Sequence, residues 1–221
     1  MQFRPQLKVL SDEQVYDIHQ AALEILWRTG VLVKAPAARD LLRRAGAAVD
    51  EETMVCRIPG YVVEEALKRA PSSFTVHARN PANDVHVSTR SLHYEPMIGR
   101  LNCYDYASGT SHRTTLEDVG HLVKLADALP SYHLLHSGAI MPQIEGVPIR
   151  ATHVHGYLAS VRNTSKVVKA TSRERIMAED CLRMVAVVAG GEDELRRRPF
   201  TFTTDNPVAP LHHDRDQMEG A

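Results

Sequence analysis

Beyond Pro130 the sequence settles into a repeating alternation of extended and helical patterns, and that alternation narrows the architectures open to it. Extended stretches lie at residues 132–137, 166–171 and 200–205, and helical patterns fill the intervals around residues 151–161 and 177–188. Strand starts recur about every 34 residues, close to the ~31 residues per unit of eight strand–helix units in ~250 residues. The expected fold class is α/β: an N-terminal α+β domain over residues 1–130, then residues 131–221 as the first part of a (β/α)8 TIM barrel, truncated after about three strands. Three strands cannot close a cylinder, and an open sheet would leave residues 200–205 as an unpaired apolar edge. That edge favours a shortened barrel over a small self-sufficient sheet.

The part before Pro130 is patterned differently. Ser11-Asp12-Glu13-Gln14 has the form of a capping box, and Val15, Ile18, Ala22, Ile25 and Leu26 follow at helical spacing until Gly30. A short helix carrying Leu41, Leu42 and Ala45 ends at Gly46, and another with Val62, Val63, Ala66 and Leu67 is bounded by Pro59 and Pro71. Phe74, Val76 and Ala78, then Val85 and Val87, alternate with polar residues around the turn formers of residues 80–84, which predicts a β-hairpin. Further extended pieces at residues 92–96 and 101–106 complete a small sheet expected to pack on the first helices. Thr115-Leu116-Glu117-Asp118 starts another capped helix, and Thr171-Ser172-Arg173-Glu174 a third.

Composition excludes several classes. With 43% hydrophobic and 24% charged residues the chain can cover a core without disabling self-repulsion. A net charge of −1 from 26 basic and 27 acidic residues gives no field for nucleic acid or anionic lipid. Arg196-Arg197-Arg198 beside Glu192-Asp193-Glu194 reads as a solvated helix end. Cys56, Cys103 and Cys181 form no C-x-x-C pair, so neither a disulfide framework nor a thiolate zinc motif is written, and a reducing compartment fits. With no apolar leader and no stretch near the ~20 apolar residues of a span, the expected location is cytoplasmic, without a membrane partner.

Several blocks point together to one family. LSDEQVYDIHQAALEILWRTGVLV (10–33), RIPGYVVEEALKRAP (57–71), FTVHARNPANDVHV (74–87), YDYASGTSHRTTLEDVGHLVKLADALP (104–130) and NPVAPLHHDRDQMEGA (206–221) resemble, in order, segments of trimethylamine:corrinoid methyltransferases. The resemblance implies a (β/α)8 barrel with an N-terminal extension, of which this chain is an N-terminal fragment, inactive alone. It implies methyl transfer from trimethylamine or a related methylated or quaternary amine to a corrinoid protein, in methylamine metabolism. No cofactor is then bound directly, since the corrinoid (cobalamin) is carried by the partner. Members with pyrrolysine carry it later in the barrel, beyond Ala221, and relatives without it act on glycine betaine or similar amines. Self-association into a homo-oligomer is left open. The other reading is a non-catalytic partner-binding module derived from the same fold.

In barrel enzymes the reacting groups sit at the C-terminal ends of strands. That rule selects His136 and Ser137 after the first strand, Lys169 to Thr171 after the second, and Asp205 with Asn206 after the third. Asp205 and Asn206 can face a cationic or polar substrate, or form an Asx turn into Pro207. His136 can hydrogen-bond a substrate carboxylate or the corrinoid, and Lys169 can point into the site or to solvent. His136, Lys169, Asp205 and Asn206 are therefore the expected substrate-binding residues, and no catalytic residue is assigned. Among twelve histidines, His153/His155 and His212/His213 lack the i, i+4 spacing of helical zinc ligands, so no metal site is expected. Tyr94, Tyr104 and Tyr106 could cage a quaternary ammonium by cation–π attraction, with core packing the plainer role.

Overall fold

The computed structural model describes residues 8–98, 101–136, 144–170, 174–204 and 206–220. Elements run α1 (Asp12–Arg28), β1 (Val31–Val33), α2 (Pro36–Ala45), β2 (Ala48–Asp50), β3 (Val55–Arg57), α3 (Gly60–Arg69), β4 (Ser73–Val76), β5 (Val85–Ser88), β6 (Asn102–Asp105), β7 (Thr110–Arg113) and α4 (Leu116–Ala128). They continue with β8 (Leu134–His136), α5 (Thr152–Asn163), β9 (Val167–Lys169), α6 (Arg175–Ala189), α7 (Glu192–Arg197), β10 (His212–His213) and α8 (Arg215–Gly220). The chain divides into two compact units, one of residues 1–70 with 206–215, the other of residues 71–205 with 216–221.

In the first unit the capping box forms as the sequence predicts: Ser11 Oγ accepts from the Gln14 N–H at 3.1 Å, and Gln14 Oε1 accepts from the Ser11 N–H at 2.9 Å. The face that α1 turns inward is the His19, Leu23 and Leu26 row, with His19 Nε2 at 2.7 Å from Glu64 of α3. Val15, Ile18 and Ile25, the stripe expected to be buried, stay exposed. The sheet has the order β10–β1–β3–β2, with β1 antiparallel to β3 and β10 added parallel, Leu32 opposite His212. Residues 206–215 thus return to the N-terminal sheet, an addition periodicity alone does not reveal. Arg39, buried in α2, is held by Glu51 and by the carbonyl oxygens of Val33 and Lys34.

The second unit contains the predicted parallel pair. β8 and β9 run parallel with α5 between them, Leu134 opposite Val167 and His136 opposite Lys169. Residues 94–98 flank β8: the His136 N–H donates to Pro96 O at 3.2 Å and the Ile98 N–H to His136 O at 2.8 Å. Residues 94–96, part of the 92–96 stretch expected in the N-terminal sheet, thus align with the parallel strands, and a parallel bridge joins Met97 to His136. On the far side of β9 the expected third strand is not formed over residues 200–204, and Asp205 lies outside the described residues. Ala170 N–H donates to Phe202 O at 3.0 Å, while Thr201 spends its hydroxyl on Val168 O at 2.8 Å. A side-chain bond has taken the place of the next ladder rung, so pairing does not propagate. Among the described residues the fold is mixed α/β with small sheets and no closed barrel.

Alternation along the pair sorts the core. Leu135 and Val168 pack with Val119, Val123, Tyr157, Val161, Cys181 and Val185 of the helices. Leu134 and Val167 face the other way, onto Ala78, Val85 and Phe202. The β4–β5 hairpin therefore packs on the parallel pair, where the sequence placed it on the first helices; its apolar alternation matches an apolar strand face. Lys166 closes α4 by donating to Ala126 O at 3.0 Å and Leu129 O at 2.9 Å, a cation at the negative end of a helix. The Arg196 and Arg197 end of α7 is solvated and paired with Glu192, Asp193 and Glu194, as expected, but Arg198 turns back to Asp84. Tyr94, beside β8, is exposed instead of packed in a core, and so are Tyr104 and Tyr106, since β6 and β7 form a two-stranded hairpin with little to cover it.

Candidate functional site

The face that carries Leu134 and Val167 continues, two residues on, to His136 and Lys169. Period-two geometry gives both the same orientation, and their direct register sets them side by side at the C-terminal ends of adjacent parallel strands. Two of the four substrate-binding residues expected from the sequence are thus brought together. Both are half-buried. Asn206 is exposed and belongs to the first unit. Asp205, Ser137 and Thr171 lie outside the described residues.

The structure adds a residue that the sequence reading passed over. Ile98 points into the helix-side core, so along the extended flanking segment Met97 and Glu95 both fall on the face opposite that core. Glu95 is exposed at the surface, yet partial desolvation pushes its carboxyl above the usual range, and the Lys169 charge acts against that rise. An acid, an imidazole and an ammonium therefore line one strand mouth. No spacing rule links Glu95 to His136 and Lys169; only the non-local parallel bridge does so.

His153 is buried in α5 while His155 is exposed, and His212 and His213 are consecutive in β10, so neither pair presents two imidazoles to one point. No helix among the described residues is long and apolar enough to cross a membrane.

A strand mouth with mixed charges suits a small polar or charged ligand. The profile of the trimethylamine methyltransferase (MTTB) family matches residues 1–221, and the chain belongs to that family. It is 30% identical over 220 residues to a glycine betaine methyltransferase of Desulfitobacterium hafniense (strain Y51), covering 100% of this chain and 45% of that protein. It is 31% identical over 224 residues to the trimethylamine methyltransferase MttB of Desulfitobacterium hafniense (strain DSM 10664 / DCB-2), covering 96% and 43%. The MttB of Methanosarcina thermophila is 28% identical over 210 residues, covering 93% and 43%. The chain thus spans less than half the length of these curated relatives.

Proposed function

We propose that this chain is the N-terminal portion of a methyltransferase that moves a methyl group from a methylated amine to the corrinoid of a partner protein, and that Glu95, His136 and Lys169 line part of the amine-binding mouth. The observation that carries the reading is the side-by-side register of His136 and Lys169 at parallel strand ends, where barrel enzymes keep their reacting groups. Family membership over residues 1–221 and the names of the relatives support the reaction class. The remaining barrel staves, and with them activity, belong to the longer protein; the chain alone is inactive. Its setting is the cytoplasm.

A quaternary ammonium has no N–H to donate, so a protein recognises it by charge and by aromatic faces. Glu95 supplies the charge once ionised, and its raised pKa places that ionisation later in an acid-to-neutral titration than for an ordinary carboxyl. Lys169 and His136 can receive a carboxylate, so the trio fits a zwitterionic amine such as a betaine better than a simple amine. The corrinoid, brought by its partner protein, supplies the cobalt nucleophile. The methyl carbon–nitrogen bond breaks with its electron pair left on the departing amine. The residues of this chain hold that nitrogen in line and exclude water.

The test is methyl-cobalt formation by the full-length protein with its corrinoid partner. Lys169→Ala should raise the KM for a betaine on the order of tenfold, about 1.4 kcal/mol, and leave trimethylamine turnover nearly unchanged. Equal effects on both amines would remove Lys169 from carboxylate recognition. Absence of methyl-cobalt from every methylated amine would overturn the reaction class.

A further inference from the structure

The β6–β7 hairpin and the start of α4 bring together three side chains that methyl transfer does not use. Cys103 and His112 are direct cross-strand partners, so their side chains leave the hairpin on the same face. Asp118 is the third residue of α4, and its Oδ2 lies 3.0 Å from His112 Nε2. One ligand atom from each of the three residues lies within 4.8 Å of the others. We propose that Cys103, His112 and Asp118 form a zinc site that clamps the hairpin to the first turn of α4.

The chemistry of the donors narrows the ion. Magnesium and calcium take oxygen ligands, whereas thiolate with imidazole and one carboxylate is the borderline-soft set that zinc accepts in tetrahedral geometry. With Zn–S near 2.3 Å and Zn–N or Zn–O near 2.0–2.2 Å, donors around a tetrahedral ion sit roughly 3.2–3.7 Å apart. The existing His112–Asp118 approach is already near that spacing, and the thiol, within 4.8 Å of both partners, would have to close on them by up to about 1.2 Å. Water would take the fourth position.

The carboxylate is also held from behind. Asp118 Oδ2 accepts from the Thr115 N–H and the Thr115 hydroxyl, each at 2.8 Å, which fixes the carboxylate as outer-shell partners fix metal ligands. Burial first, then the charges of Asp118 and Asp105, push the Cys103 thiol above its ordinary pKa. Binding displaces the thiol proton: Zn²⁺ and Cys–SH give the zinc thiolate and one H⁺ released to solvent. Cys56 and Cys181 are buried, whereas Cys103 is partly exposed.

The full-length protein, stripped with a chelator, should bind one equivalent of Co²⁺ with a thiolate-to-cobalt charge-transfer absorption that Zn²⁺ abolishes by displacement. Cys103→Ser should remove the band, and His112→Ala should weaken Zn²⁺ binding by at least the ~10-fold that even outer-shell substitutions cost. Should His112→Ala fail to fold, Cys103→Ser decides alone, since it exchanges one atom at a partly exposed position. Absence of the band in the unaltered protein, or a band unchanged by Cys103→Ser, overturns the site.

Discussion

Asp84 shows how much one side chain can hold in the second unit. Its carboxylate accepts from the Ala78 N–H at 2.9 Å, meets His77 Nδ1 at 2.9 Å, and pairs with Arg198, so it ties the β4–β5 turn to the segment after α7. Burial works to raise its pKa, and the bonds from Ala78, His77 and Arg198 together overcome that and hold it below the ordinary carboxylate range. A carboxyl depressed on folding contributes stability that is full above its unfolded pKa and lost as pH falls through the folded one. Asp84→Asn should cost ~1.5 to 3 kcal/mol at neutral pH. In urea titrations that difference should begin to shrink below about pH 4, as the unfolded carboxyl takes up its proton, and be lost as pH falls through the lower folded pKa; a constant difference down to acid pH would show that charge is not what Asp84 contributes. Such hubs are invisible in sequence, because Asp84 and Arg198 are 114 positions apart. His136 and Lys169 were legible because period-two alternation and the strand-end rule are local. Glu95 was not, because nothing near it in sequence states which strand it will flank.

At the scale of elements, stop signals were the most readable part of the chain. Gly30 and Gly190 both end helical patterns and both adopt positive φ, +77° and +91°, as left-handed termination requires. Their surroundings separate them. A Cβ on Gly190 meets nothing within 4 Å, whereas one on Gly30 would sit 2.8 Å from both Cys56 O and Val55 Cγ1 of β3. Gly190→Ala should therefore lose only the conformational term, roughly 1–2 kcal/mol. Gly30→Ala should lose distinctly more, because a strand backbone cannot swing aside as a side-chain tip does. Urea midpoints of the two variants check the ordering, and equal losses would mean that β3 yields at no cost. The same locality explains the rest of the element reading. The boxes at Ser11 and Thr115 close within four residues and appear as written, while the third strand fails because Thr201 bonds Val168 through its side chain, a non-local choice. The inward face of α1 was misassigned for a related reason: the helix carries two apolar rows, and only contact with α3 selects the His19–Leu23–Leu26 row.

For the whole molecule, what stays uncovered carries the argument. Val15, Ile18 and Ile25 on α1 are 53%, 59% and 48% exposed, and Leu182 and Val187 on α6 are 54% and 81% exposed. Single exposed apolar residues are ordinary, but the Val15–Ile18–Ile25 row along α1 is a surface that further chain or a partner commonly covers. The relatives are more than twice as long as this chain, and on the proposal above their additional residues supply the strands and helices that complete a barrel. The 221-residue chain expressed by itself should then bind an environment-sensitive apolar dye strongly, self-associate, and form no methyl-cobalt with the corrinoid partner. The longer protein should bind the dye weakly and transfer methyl groups. A monomeric 221-residue chain that ignores the dye and passes methyl groups at the rate of the longer protein would contradict the division of labour, because strands that suffice alone need no others to build the mouth.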